Sequence, residues 1–402
     1  MNRQVVVTGV GLVSPLAEDA GSLHAAACAG RHAGIRQAEF AVNGMPSPLV
    51  APHNGFDAKA ELGRENLRPL DRTGRLAAAA ARRALEDSGW TTEDLAKDEV
   101  GLVLGTMFGS MRTISGFDRR SVDAGPSYAK PMDFVNSVIN AAAGQTGIRF
   151  NLRGVNATLS GDLTAGLQAI GYAADLVRSG RVETVLAGGA DELCIESLYG
   201  FHKLGLLCDA EVNRPVPLSE HVTGLMPAEG AALLVLESRE SAERRGATIL
   251  AEILGHGSAF DASRGTDPRA SVECLGASIG GAFADASLSG HEATCVSSSA
   301  NGSANDALEL EGIEATDQTG AMVAVKATTG EPLGAAGALQ TILAIESLRR
   351  REAPGVPGLP ARASRNGVSP SAKSTSVSGD IALVTALGLQ GKTAALVAQV
   401  VC

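Results

Sequence analysis

Aromatic side chains are scarce: one Trp, three Tyr and nine Phe make up 3% of the 402 residues. The core must therefore come from aliphatic and small side chains, and the 48 glycines suit helices and sheets in close apposition. No run of about 18 uninterrupted apolar residues occurs, which argues against a spanning helix. Basic charge is in deficit: a formal net charge of −10 speaks against a nucleic-acid binder, which would carry a basic patch. The six cysteines (Cys28, Cys194, Cys208, Cys274, Cys295, Cys402) show no CxxC spacing and the seven histidines no HxxxH spacing. Neither a disulfide framework nor a metal site is expected, and the thiols read as free in a reducing cytoplasm. The opening "MNRQVVVTGVGLVSP" carries no cleavable signal pattern. Its "GVG" is not the full GxGxxG and no helix follows at once, so a dinucleotide site is rejected and no cofactor is expected.

What is present is a globular composition, 45% hydrophobic and 19% charged, arranged as alternating strands and helices. "RQVVVTGVGLVSP" reads as a buried strand. "DRTGRLAAAAARRALEDSGW" reads as a helix capped by Asp71 or Thr73 and stopped at Gly89. "EVGLVLGTMFGS" is a strand entering a glycine turn, and "RVETVLAGGADE" another strand. Between them "LSGDLTAGLQAIGYAADLVRSG" (residues 159–180) reads as a turn feeding a helix, with Ser160 as its cap and Leu163, Leu167, Ile170, Ala174 and Val177 at near-helical spacing. Strand, helix and strand in that order imply a parallel crossover. The second half repeats the rhythm, "EAPGVPGLPARASRNGVSPSAKSTSVSGD" (352–380) reads as a surface loop, and two strands close the chain. The turn before a helix is where unpaired N–H groups and the helix dipole favour an anion, hence a nucleophile. The residue in that place is Leu163, which has no nucleophilic atom.

Seven segments in order, "VVVTGVGLVSP", "DRTGRLAAAAARRALEDSG", "SGDLTAGLQAIGYAADLVRSGRVETVLAGGADE", "GLMPAEGAALLVLE", "NDALELEG", "VAVKATTGEPLGAAGALQTILAIESL" and "ALGLQGKTAALV", resemble the β-ketoacyl synthases of the thiolase fold over essentially the whole chain. The resemblance implies a five-layered α/β/α/β/α protein of two duplicated halves, residues 1–250 and 251–402, that is normally dimeric. Active members use a cysteine whose thiolate takes an acyl chain from a carrier protein. Two histidines stabilise the enolate formed as carbon dioxide leaves. Matched to those motifs, the cysteine position is Leu163, the first histidine position falls at about Ser298, uncertain by one residue, and the second is Glu331. Leucine forms no thioester, and a carboxylate at Glu331 would repel an enolate. Lys326 and Glu309 match a lysine and a glutamate of the family's inner framework and are expected to form an ion pair.

This combination looks like the chain length factors, the ketosynthase beta subunits of type II polyketide synthases. In many of these a glutamine stands where the cysteine was, so Leu163 departs from the common pattern and points towards polyene-type systems. The implied partners are a catalytic ketosynthase alpha subunit in a heterodimer and, through it, an acyl carrier protein. Met111, Ile114, Phe117 and Met132 are the expected tunnel or interface residues, from the family's gating segment at "GTMFGSMRTISGFDRR" and "KPMDFVNSVINAAAG". One alternative is a malonyl-carrier-protein decarboxylase, which needs the histidines absent here. Another is an enzyme with a relocated nucleophile, Cys194 or Ser160. A third is a scaffold in a different thiolase-fold complex.

Overall fold

The computed structural model describes residues 3–37, 40, 45, 47–289, 293–360 and 368–401, so Cys402 lies outside the described residues. Ten strands form the body of one sheet: β1 (Val5–Val13), β2 (Val100–Thr106), β3 (Asn156–Ser160), β4 (Thr184–Asp191), β5 (Gly230–Ser238), β6 (Ala251–Phe260), β7 (Cys295–Ser297), β8 (Ala321–Val323), β9 (Ile381–Leu387) and β10 (Lys392–Val400). Their order is β8-β7-β9-β10-β6-β1-β5-β4-β2-β3, with the two-residue strand Ser369–Pro370 outside β8. The first half reads β3-β2-β4-β5-β1 and the second β8-β7-β9-β10-β6, each with a parallel trio followed by antiparallel partners. The two copies meet where β1 pairs antiparallel with β6, and the expected division at residue 250 falls just before β6.

The helices assign the layers. α5 (Ala165–Arg178) and α10 (Ala336–Arg350) lie in one apolar cluster with strand residues of both halves, among them Val103, Val185, Leu234, Val384 and Leu396. On the other face of the first half, Leu102, Leu104, Leu186 and Leu233 pack against α2 (Arg72–Asp87) and α4 (Ala141–Phe150). On the other face of the second half, Val296, Leu383 and Val397 pack against α7 (Pro268–Asp285) and α8 (Asn305–Glu314). Neighbours such as Leu102 and Val103 face opposite layers because a strand's side chains alternate. The result is the layered thiolase-like α/β architecture, with α5 and α10 in the middle.

Local chemistry sets the boundaries. Asp71 caps α2 by accepting the Gly74 N–H, while Thr73, inside the helix, donates to the Gly109 carbonyl. Ser160 does not cap α5. It is the exposed last residue of β3, and the chain needs residues 161–164 to turn before the helix begins after Thr164. No side chain caps the helix; Asp162, in that turn, accepts N–H bonds from Leu163 (2.5 Å) and Gln390 (2.9 Å), both outside it. The segment 352–380 is not simply a surface loop. Ala353, Val356, Leu359, Val368 and Val377 are buried, while residues 361–367 lie outside the described residues. Their apolar side chains outweigh the turn-forming composition around them. No helix among the described residues is long and apolar enough to cross a membrane.

Candidate functional site

The N-terminus of α5, the end of β4 and the turn before α10 converge tightly. A Cβ on Gly166 or Gly189 would lie 2.2 or 2.0 Å from the Gly334 carbonyl oxygen, so only glycine permits this approach. Asp191, fully buried at the end of β4, binds the parts together. Its carboxylate accepts from the Thr106 hydroxyl (2.7 Å), the N–H groups of Met107, Phe108 and Gly109, and the Gly334 N–H (2.8 Å) of the other half. Burial still raises its pKa against these donors.

Leu163 sits just ahead of α5, 2% exposed, in an apolar cluster with Phe201, Leu225 and Leu333, flanked by Met107, Phe108, Leu206, Leu207 and Leu389. Burying a leucine stabilises by about 1.5–3 kcal/mol, and this site spends its helix N-terminus on packing. In front lies a cavity of about 710 Å³ whose walls include Met107, Phe108, Met111, Phe201 and Leu389, with Glu196 and Lys392 among the polar groups. Leu163 is not among the lining residues.

Behind Leu333 the interior is ionic. Glu331 is fully buried, and its carboxylate accepts from Lys326 Nζ (2.6 Å), Asn301 Nδ2 (2.9 Å) and the Leu333 N–H (3.1 Å). That last bond holds Leu333 in a left-handed backbone conformation, φ 54°, which is costly for a leucine. Lys326 also donates to the Ser299 carbonyl at 2.7 Å. The expected Lys326–Glu309 ion pair is therefore corrected: the lysine's partner is Glu331. A carboxylate only five residues along the chain, brought back by the turn at Gly330 (φ 75°) that ends the one-turn helix α9 (Lys326–Thr329), reaches the ammonium first. Glu309, 1% exposed, is held by hydroxyl and amide donors: Ser298 Oγ (2.8 Å), the Ser299 N–H (2.7 Å) and Oγ (2.8 Å), and Thr385 Oγ1 (2.7 Å). Ser298 thus spends its proton on Glu309 and accepts the Ala300 N–H. Nearby Asp306 is pushed up to about 6 by burial despite N–H bonds from Leu218, Asn301 and Gly302.

Neither relocated nucleophile has the required setting. Cys194 precedes the helix α6 (Ile195–Lys203), but burial pushes its thiol up to about 11, so it is protonated at neutral pH. Cys208 and Cys295 are pushed up to about 12 for the same reason. Ser160, exposed at the end of the edge strand, lines the cavity, but among the described residues no general base hydrogen-bonds its hydroxyl. Of the four expected tunnel residues, Met111 lines the cavity. It begins the helix α3 (Met111–Ala124), on which Ile114 and Phe117 are half-buried. Phe117 meets Phe134 with ring centroids 6.0 Å apart, and Met132 is 40% exposed. Asp191 and Asn301 were not singled out in the sequence. A lysine five residues before the carboxylate in "KATTGE" was the available signal for the Lys326–Glu331 pair.

Comparison with known proteins agrees with this architecture. The profile of the β-ketoacyl synthase N-terminal domain matches residues 2–242, and that of the C-terminal domain residues 250–359. A 3-oxoacyl-[acyl-carrier-protein] synthase 2 of Coxiella burnetii is 30% identical over 361 residues, 88% of this chain and 87% of that protein. The solved ishigamide ketosynthase/chain length factor superposes over 100% of both chains with a TM-score of 0.91 at 27% identity. A β-ketoacyl synthase from Burkholderia phymatum does so with a TM-score of 0.88 at 26% identity, again over 100% of both chains. With two domain profiles spanning most of its length, in order and in register with the duplicated sheet, this chain belongs to the β-ketoacyl synthase family.

Proposed function

We propose that this chain is a non-catalytic chain length factor, which pairs with an active ketosynthase and shapes the cavity that receives the growing acyl chain. The observation that carries this reading is Leu163, sealed by Phe201, Leu225 and Leu333 where a nucleophile would stand. The remaining chemistry points the same way. Glu331 is committed to Lys326, and Ser298 to Glu309, so neither offers a free donor to a developing enolate. A partner of this kind also suits the surface. Val122, Tyr128, Met132, Phe134, Val135, Val138 and Ile139 are exposed along one segment, and β3 is the outer strand of its half of the sheet. In the pair, the partner's thiolate carries the chain, and Met111, Ile114, Phe117 and Met132 bound the space it grows into. Each methylene forced against a packed wall costs about 1–3 kcal/mol, and about 1.4 kcal/mol is tenfold in rate.

The test uses the full chain alone and co-expressed with ketosynthase subunits from its source genome, given malonyl- and acyl-carrier-protein substrates. The chain alone releases no carbon dioxide and makes no carbon–carbon bond, and Leu163→Cys restores neither. A stable pair forms product, and Met111→Ala in the pair shifts its mass upward. Condensation by the single chain overturns the proposal. Malonyl decarboxylation by it transfers the reading to a starter-unit decarboxylase.

A further inference from the structure

The helix α1 (Ala20–Cys28) carries His24 and Cys28 one turn apart on the same face. Opposite them is Glu352, in the two-residue strand Glu352–Ala353 that follows α10. The donor atoms of these three side chains all lie within 4.8 Å of one another. We propose that His24, Cys28 and Glu352 form a zinc site that ties the first helix to the strand leaving α10.

The geometry supports this independently of the reading of the Leu163 region. His24 is 4% exposed, and its Nε2 lies 2.8 Å from the Glu352 carbonyl oxygen. A carbonyl only accepts, so Nε2 carries the hydrogen and Nδ1 keeps a lone pair. This is the outer hydrogen bond that metal-bound histidines use to fix their tautomer. Nδ1 is 3.7 Å from Cys28 Sγ. Sγ is also 3.8 Å from Nε2, so it stands off the Nδ1 lone-pair axis. Zinc bonds of roughly 2.3 Å to sulfur and 2.0–2.1 Å to nitrogen at a tetrahedral angle separate the two ligands by about 3.6 Å, and a turn of Cys28 about its Cα–Cβ bond brings the thiolate onto that axis as the ion binds. One thiolate, one carboxylate and a neutral imidazole also balance a doubly charged ion. The mixed sulfur, nitrogen and oxygen set suits borderline-soft zinc better than calcium or magnesium. Binding displaces the Cys28 proton, which burial holds more tightly than usual. The nearby cation is Arg350, whose Nε is engaged by Glu346 at 2.8 Å, and the Ser374 hydroxyl also faces the thiol. Solvent supplies the fourth ligand. The signal in the sequence was the His-x3-Cys spacing in "HAAAC", which a search for paired histidines passes over.

The test takes the full chain, stripped with a chelator and titrated with Zn²⁺ or Co²⁺. One equivalent of Zn²⁺ binds, more tightly as pH rises, and the melting temperature increases. Co²⁺ produces a thiolate-to-metal charge-transfer band. Cys28→Ser abolishes the band and weakens Zn²⁺ binding roughly tenfold or more, whereas Cys274→Ser, at a half-buried thiol outside the cluster, changes neither. Glu352→Gln, on an exposed residue, gives a second ligand variant whose folding is not at risk and also weakens binding. Failure of the wild type to bind Zn²⁺, or binding unchanged in both ligand variants, overturns the site. Neither result touches the question of catalysis.

Discussion

Around Leu163 the interior is closed with carbon; around Glu331, just beyond Leu333, it is closed with charge. In the first region the leucine side chain packs in an apolar cluster and the cost of change is lost packing. In the second, one ammonium and two carboxylates lie out of water, each held by named partners: Lys326 on Glu331, and Glu309 on four hydroxyl and amide donors. The contrast shows two physical ways of filling one interior. An aliphatic plug tolerates reshaping. A buried ion pair does not tolerate the loss of one member, because the survivor keeps its charge and loses its counterion.

The largest expected effect therefore belongs to the ionic region. Lys326→Met leaves Glu331 buried without a cation and destabilises by about 3–5 kcal/mol, while Lys326→Met with Glu331→Gln recovers most of that loss in urea unfolding. A single variant no worse than the double one would show that the pair is not coupled. Next comes the apolar region: Leu163→Ala opens a cavity and costs about 2–5 kcal/mol by the same measurement, the lower end being expected because Met107 and the surrounding leucines can relax into the space. The smallest effect probes the border. Glu192 follows Asp191, accepts the Arg112 N–H at 3.1 Å and leaves Oε2 without a hydrogen bond. Burial, then Asp71, push it up to about 8, with Glu229 adding and Arg112, 4.0 Å away, opposing. Over the window from about 4.5 to about 8 the folded state holds this proton and the unfolded chain does not, so stability falls as pH rises. Glu192→Gln removes that slope and stabilises at pH 8 by at least about 1.4 kcal/mol, the equivalent of one pKa unit. A thermal midpoint with the same pH dependence in both proteins would place the titration elsewhere.

Much of the architecture was legible because it rests on period and punctuation. The alanine-rich run after Asp71 makes a helix by propensity and a cap by chemistry, and apolar strands between glycine turns leave little choice of element. The start of α5 differs from the expected cap at Ser160 because residues 161–164 turn before the helix begins, and no side chain reaches its first N–H groups. The lysine's partner was hidden for a similar reason. Two carboxylates, Glu309 and Glu331, lie within a few residues of the same motifs, and the choice depends on where Ser298, Ser299 and Thr385 stand in space. Composition in 352–380 spoke of turns, yet five scattered apolar residues anchor the segment. Five isolated anchors produce no periodic pattern to read.

Asp191 has one more consequence. It belongs to the first of two topologically matched repeats, but one of its five donors, the Gly334 amide, comes from the second. Cutting the polypeptide between the repeats would take one donor from the acid and leave its amide partner unanswered on the other fragment. Symmetric as their wiring is, the repeats are not interchangeable modules: each contributes side chains and a donor to an interior that both share.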